Sequence, residues 1–313
     1  MRTYHVEYLL FKLFFRGLKI LGLPSMRWYY KFYHSAKQRK IKQMIPESLE
    51  LLKANDTIKD ISYDAPIFFM WWQGLDKMPD VVKLCYSQLK KCTGSHPVIF
   101  LCESNFRDIY YDLTHHEIDK KILDWYYDSQ INVQHLSDIL RNKLLYHSGG
   151  IWVDATVFLT TNVNELIKGL KFFSGKRPPK KSNYNFPANG RWTSYFIITG
   201  VEGLLTKFLY SGLEEIVEHQ GRMPDYFTLD YLFSIADQEN YDIKTMIDSI
   251  PTIEPIIGRL NNVGHCITRN EFDDIIGRAP LFKLDWRKSK GDYNELGQST
   301  ILYYLKDYSK NYE

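Results

Sequence analysis

The stretch SDILRNKLLYHSGGIWVDATVFL, residues 137–159, changes period halfway along. Up to Ser148 the apolar residues Ile139, Leu140, Leu144 and Leu145 fall on one face of a helix. Ser137 suits the N-cap of that helix and Asp138 its positive first turn. Gly149 and Gly150 supply the positive φ with which helices end and chains turn tightly. From there the period is two. Ile151, Val153, Ala155, Val157 and Leu159 share one side of a strand, and Trp152, Asp154 and Thr156 share the other. A helix handed by a glycine turn to an apolar strand is a unit of an α/β sheet. Asp138 and Arg141 are three apart and neighbour each other on the helix. Asp154 lies in an apolar strand, where a carboxylate is costly unless paired or ligated. Singly, these three have plain readings as helix cap, ion pair and turn acceptor. Together, near the carboxyl end of a strand where open α/β sheets gather ligands, they describe a site for an anionic ligand bridged by a cation.

Working outward, APIFFMWW reads as a strand that begins at Pro66 and leads to Gln73 and Gly74. A helix over residues 78–91, a strand over 97–102 and a helix over 118–127 follow. Beyond the central stretch, residues 174–192, rich in Lys, Pro, Gly and Asn, read as a long mobile loop. SYFIIT is strand-like, and 202–218 and 225–237 are helical. Short strands alternating with helices predict an α/β fold with one mixed, mostly parallel sheet flanked by helices.

The 313 residues, 44% hydrophobic and 15% aromatic, can bury a substantial core in one large domain or two modest ones, and a 25% charged fraction argues against extended disorder. Cys85, Cys92, Cys102 and Cys266 contain no CxxC pair, so free, mostly buried thiols in a reducing cytosol are expected. The net charge of +3 is unevenly spread. Residues 1–44 hold ten Lys and Arg against one acid, Glu7, which leaves the remainder of the chain at −6. Within YHVEYLLFKLFFRGLKILGL, the residues Lys12, Arg16 and Lys19 form one charged stripe among Leu and Phe. No apolar run is long enough to span a bilayer. The expectation is an arm, residues 1–45, lying on the anionic inner face of the plasma membrane, with the run MRWYYKFYHSAKQRK adding interfacial aromatics. A helix packed on the body is the plain alternative. A nucleic-acid arm lacks an accompanying recognition fold. Residues 46–313 form the second region.

SDxxR followed by GGIWxDxT resembles the donor-site segment of the capsular-polysaccharide-synthesis glycosyltransferases. That family looks related to the DXD-containing sugar transferases, among them yeast α-mannosyltransferases and the glucosylating clostridial toxins. FFMWWQG, RWTSYFI and PDYFTLDYLF also resemble the capsular family, so the likeness covers roughly residues 60–240. It implies a GT-A fold, a nucleotide-diphosphate sugar donor and transfer with retention of configuration. By position, Asp138 and Arg141 would bond the donor sugar's hydroxyls, with Arg141 near the diphosphate. Asp154 would take the first acidic place of the DXD motif, toward ribose and an Mn²⁺ or Mg²⁺ ion. Thr156 stands in the second place, and a hydroxyl is a weaker ligand for a hard cation than a carboxylate. Trp71 or Trp72, beside Gln73, would stack on the base, and Asp230 would serve the acceptor side.

The chemistry requires a cation or Lys/Arg for the leaving diphosphate and exclusion of water from the anomeric carbon. Lys176, Arg177, Lys180 and Lys181 form either a lid over the diphosphate or a solvated loop. Asp225 either caps a helix or joins the site, and His265 is a further phosphate or metal candidate. The expected function is glycosyl transfer to a lipid-linked or growing saccharide. The alternative is a non-catalytic scaffold of a polysaccharide assembly complex that keeps the fold. Neither GxxxxGK[ST] nor a strand-linked GxGxxG is present, which argues against other nucleotide enzymes.

Overall fold

The computed structural model describes residues 27–62, 64–167, 169–179, 184, 186–253 and 259–312. Lys12, Arg16 and Lys19 of the expected arm lie outside the described residues, as do Lys180 and Lys181. The strands are β1 (Ile67–Met70), β2 (Val98–Leu101), β3 (Gly150–Asp154), β4 (Val157–Leu159), β5 (Phe172–Ser174), β6 (Phe196–Thr199) and β7 (Leu281–Lys283). Five of them form the central sheet in the order β2-β1-β3-β6-β5, and β4 pairs with β7 in a separate two-stranded sheet.

β1 runs parallel to β2 and β3, whereas β6 runs antiparallel to β3 and β5 antiparallel to β6. The expected single, mostly parallel sheet is therefore corrected to an evenly mixed sheet and a small partner. Helices supply the crossovers that the parallel strands need, Asp80–Lys91 before β2 and Val133–Ser148 before β3. Only residues 175–195 join β5 to β6, and no regular helix is described among them. The expected continuous strand over 151–159 also breaks. Ala155 and Thr156 form a turn, and β4 leaves the central sheet with Val157 opposite Lys283.

The helix before the glycines begins earlier than its sequence suggests. Asn132 is its N-cap, its side chain accepting from His135 N at 3.0 Å, so Ser137 and Asp138 lie inside the helix. Val133 and Leu136 extend its apolar face, and Leu136, Ile139, Leu140, Leu144 and Leu145 are buried. Gly149 and Gly150 do adopt positive φ, 63° and 107°.

Phe68, Phe69, Trp152, Phe172, Phe173 and Phe196 are fully buried around the central sheet, each contributing about 1.5–3 kcal/mol on transfer from water. A second apolar cluster, with Phe158, Phe272, Phe282, Ile301, Leu302 and Leu305, lies beneath the small sheet. The Arg27–Lys42 helix packs on the Thr228–Glu239 helix. His34 Nδ1 is 2.9 Å from Tyr231 Oη, Gln38 donates to Ser234 Oγ, and Ile41 and Ile45 are buried. The spacing of His34, Gln38 and Ile41 gives the helix one body-facing side. None of the described helices is long and apolar enough to cross a membrane. Cys85, Cys92 and Cys102 are buried and free, and Cys266 is free and half-exposed.

Candidate active site

The site forms where β1 and β3 end and β6 begins. Asp154 is the last residue of β3, level with Met70 of β1, and its backbone N–H donates to Tyr195 O at 2.9 Å. Both carboxylate oxygens are engaged. Oδ1 accepts from Trp152 Nε1 at 2.9 Å and from Arg141 Nη2 at 3.3 Å. Oδ2 accepts from Lys283 Nζ at 2.7 Å. The side chain nevertheless keeps 29% of its exposure.

Arg141 is a buried brace. Its guanidinium donates to Ser194 O and lies 3.2 Å from Asp138 Oδ1 and 4.9 Å from the Trp152 ring centroid. With 6% of its side chain exposed, it acts by holding both aspartates. Asp230 enters from the first turn of the Thr228–Glu239 helix and accepts from Trp192 Nε1 at 3.0 Å.

These carboxylates are tuned in opposite directions. Burial alone would raise Asp154, but Lys283 and then Arg141 hold it below the ordinary aspartate range. Burial pushes Asp138 up to about 7; Arg141 opposes this, and Asp154 and Asp230 add to it. Burial likewise raises Asp230 to about 6 against the Trp192 hydrogen bond and Arg141. Two of the three groups therefore titrate near neutrality, which is a property of functional clusters more often than of structural ones.

Of the residues singled out in the sequence, Asp138, Arg141, Asp154 and Asp230 converge. The tryptophans divide. Trp72 is core, 5.0 Å from the Phe106 ring and 5.3 Å from Tyr126. Trp71 is half-buried, donates to Lys77 O at 3.2 Å and meets Trp286 edge-on. Gln73 is exposed and, with an edge of Trp72 and with Gly74, Cys102, Glu103 and Ser104, lines a small cavity of about 190 Å³ beyond the ends of β1 and β2.

Thr156 is buried in the turn, with its carbonyl accepting from Leu284 N at 2.9 Å, so it does not continue the face of Asp154 along a strand. Lys176 is engaged away from the aspartates. It donates to Ile247 O at 3.1 Å and Asp248 O at 2.8 Å, closing the end of the Tyr241–Ser249 helix. Burial raises the Tyr195 phenol, and Arg177 lies close enough to oppose that rise. Asp225 accepts from Phe227 N at 2.9 Å in the turn ahead of the Thr228–Glu239 helix, whose N-cap is Phe227. His265 is exposed, and its backbone ties its loop to Ile301.

Sequence reasoning missed Lys283, Tyr195 and Tyr226. Lys283 Nζ also lies 5.0 Å from the Tyr195 ring centroid. Its one signal was a lone cation within the apolar run PLFKLDW. Tyr226 is 71% exposed. Its phenol is raised first by desolvation and then by Asp138, Asp154 and Asp230, with Arg287 opposing, which sets its ring at the mouth of the cleft.

A divalent cation fits this donor set poorly. Among the described residues no three His, Cys, Asp or Glu side chains converge as metal ligands. Asp154 already holds an ammonium on one oxygen and a guanidinium on the other. A metal there would have to displace Lys283.

An aspartate-lined cleft at the carboxyl edge of a mixed α/β sheet is the frame in which the comparisons with known proteins stand. Residues 26–305 match the model of the capsular polysaccharide synthesis protein family, and the chain belongs to that family. No curated protein sequence matches it. Among solved structures it is similar to mouse xyloside xylosyltransferase 1 in its apo form, at 10% identity and a TM-score of 0.39, over 73% of this chain and 100% of that one. It is also similar to the PaToxG glycosyltransferase, at 10% identity and a TM-score of 0.31, over 71% and 91% of the two chains.

Proposed function

We propose that the protein transfers a sugar from a nucleotide-diphosphate donor to a lipid-linked or growing saccharide, as a GT-A-type glycosyltransferase of capsule synthesis. One observation carries the reading. Asp154, at the carboxyl end of β3 in a family-matched fold, is held by two cations and keeps an exposed edge, with two further aspartates in its field.

Departure of the diphosphate takes the electron pair of the bond between the anomeric carbon and oxygen, and the negative charge must be met. Lys283 meets it in this reading, leaving Asp154 to accept from ribose or sugar hydroxyls. Asp138 bonds the donor sugar, Arg141 fixes both carboxylates, and Asp230 orients the acceptor hydroxyl. That hydroxyl adds to the anomeric carbon on the departing face, and its proton passes to the leaving phosphate oxygen. Retention of configuration follows from this course and is read from the anomeric proton of the product by NMR. Trp71 and Gln73, beyond β1, flank the base. No step is assigned to Mn²⁺ or Mg²⁺.

Titration calorimetry with UDP- and GDP-sugars tests the reading, with Mn²⁺ and with EDTA. One donor is expected to bind in both, and Asp154→Asn to weaken it at least about 100-fold, as losing a charged active-site partner does. Binding only with Mn²⁺ returns the role of charge neutralisation to a metal on Asp154. Binding of no donor leaves the scaffold alternative. The basic arm of residues 1–44 supports a place on the inner face of the plasma membrane, and segment 1–26 is the part of it that precedes the Arg27–Lys42 helix. Deleting that segment is expected to abolish sedimentation with anionic liposomes.

A further inference from the structure

Away from the aspartate cleft lies a cavity of about 750 Å³, walled by the Arg27–Lys42 helix, the loop that carries Trp192 and the Thr228–Glu239 helix. That volume is the size of a ligand site rather than of a packing defect. Its lining combines the rings of Tyr184, Phe186 and Trp192 with the amides of Gln38, Asn189 and Gln238. Asn189 has its side-chain oxygen buried without a hydrogen-bond partner among the described residues. An orphaned acceptor of this kind costs about 1–3 kcal/mol unless something donates to it.

Charge narrows the class of occupant. Arg191 lines the cavity but is neutralised by Asp237 at 2.6 Å and Asp248 at 3.0 Å. Burial lowers His34 to about 4, against the opposing pull of Asp225, which keeps its ring neutral near pH 7. Lys31, exposed at the rim, is the remaining cationic side chain in the lining. A phosphate would meet Arg191 with its charge already balanced by two aspartates, and among the described residues no other buried cation lines the cavity. Flat rings for the apolar faces of sugars and amides for their hydroxyls suit a neutral, hydroxyl-rich chain.

Trp192 joins this cavity to the cleft. Its ring lines the cavity, stacks on Phe233 at 5.6 Å, and its Nε1 donates to Asp230. We propose that the cavity is the acceptor subsite, binding a neutral stretch of oligosaccharide and leading its terminal hydroxyl past Trp192 to Asp230. The acceptor role rests on the donor reading of the aspartate cleft. The saccharide-binding role does not.

The test is an array of defined neutral and acidic oligosaccharides, with a polyprenyl-phosphate sugar in detergent as a separate arm, read on the full-length protein. Ser35→Trp places a ring in the cavity from an exposed helix position, and Asn189→Gly removes the orphaned oxygen while tolerating the φ of 47°. At least one neutral oligosaccharide is expected to bind, to lose at least tenfold in affinity in both variants, and to bind Asp154→Asn as it binds wild type. UDP- and GDP-sugar titration of Ser35→Trp is expected to match wild type.

Oligosaccharide binding that neither variant weakens overturns the proposal, as does binding confined to the polyprenyl-phosphate arm. If oligosaccharides bind in the cavity and no sugar nucleotide binds anywhere, the saccharide site stands and the donor reading falls.

Discussion

Arg141 lowers both Asp154 and Asp138, yet only Asp154 ends below the ordinary range, because it alone has Lys283 as a second cation. Removing Lys283 therefore tests the cleft more cleanly than removing the carboxylate. Lys283→Met keeps the alkyl stem and deletes the charge. Donor affinity is expected to fall about 10- to 100-fold, the usual loss for one charge-assisted contact. Calorimetry measures this, and an unchanged Kd would remove Lys283 from the mechanism. Asp138 sets the pH behaviour. Its pKa is raised from 3.8 to about 7, so the native state keeps a proton that the unfolded chain has lost. Its contribution to stability is complete below about pH 4 and disappears as pH rises through about 7. Asp230, at about 6, acts with the same sign. Urea unfolding of wild type is expected to show stability falling from pH 5 to pH 8, and Asp138→Asn to remove on the order of 2–3 kcal/mol of that fall. An unchanged slope in the variant would show that Asp138 is ionised throughout.

Among the elements, the turn from helix to β3 is where backbone conformation and packing coincide. A Cβ on Gly150 would lie 2.3 Å from Pro66 O at a φ of 107°. The carbonyl it would strike accepts from Ile151 N at 2.8 Å, so it cannot retreat without opening the edge of the sheet. Gly150→Ala is expected to cost on the order of 3 kcal/mol or more in urea unfolding. Gly221 has a φ of 65° and nothing within 4 Å of its added Cβ, so Gly221→Ala should cost about 1 kcal/mol. Equal costs would mean that conformation rather than the clash governs both.

This turn was legible in the sequence because two glycines and a change of period mark it locally. The true N-cap was not, since Asn132 and Ser137 are both capping types and Leu136 fits the helical face either way. Nor was the break at Ala155 and Thr156, because apolar alternation runs unchanged through a turn that only the pairing with β7 requires. Asp138 and Arg141 could be paired from spacing, and Asp154 stood out as a carboxylate in an apolar strand. Lys283, 129 residues beyond Asp154, is brought there by tertiary structure alone.

At the scale of the molecule, the cleft depends on a part of the chain that contributes little to the central sheet. Lys283 rides on the small sheet, opposite Val157, and that sheet rests on the second apolar cluster. Phe158, the neighbour of Val157, is fully buried there and pairs in register with Phe282. Phe158→Ala leaves a cavity and is expected to cost about 3–5 kcal/mol. If the cluster serves the cleft by holding Lys283 against Asp154, the same variant should weaken donor binding in the sense that Lys283→Met does. Combining the two should then add nothing further to the loss of affinity, because each removes the same contact. Their stability costs should still add to within about 0.5 kcal/mol, since ring and ammonium act on different neighbours. Calorimetry and urea unfolding on the four proteins of the cycle measure both quantities. Additive losses of affinity would show that the second cluster supports the donor site by a route other than Lys283.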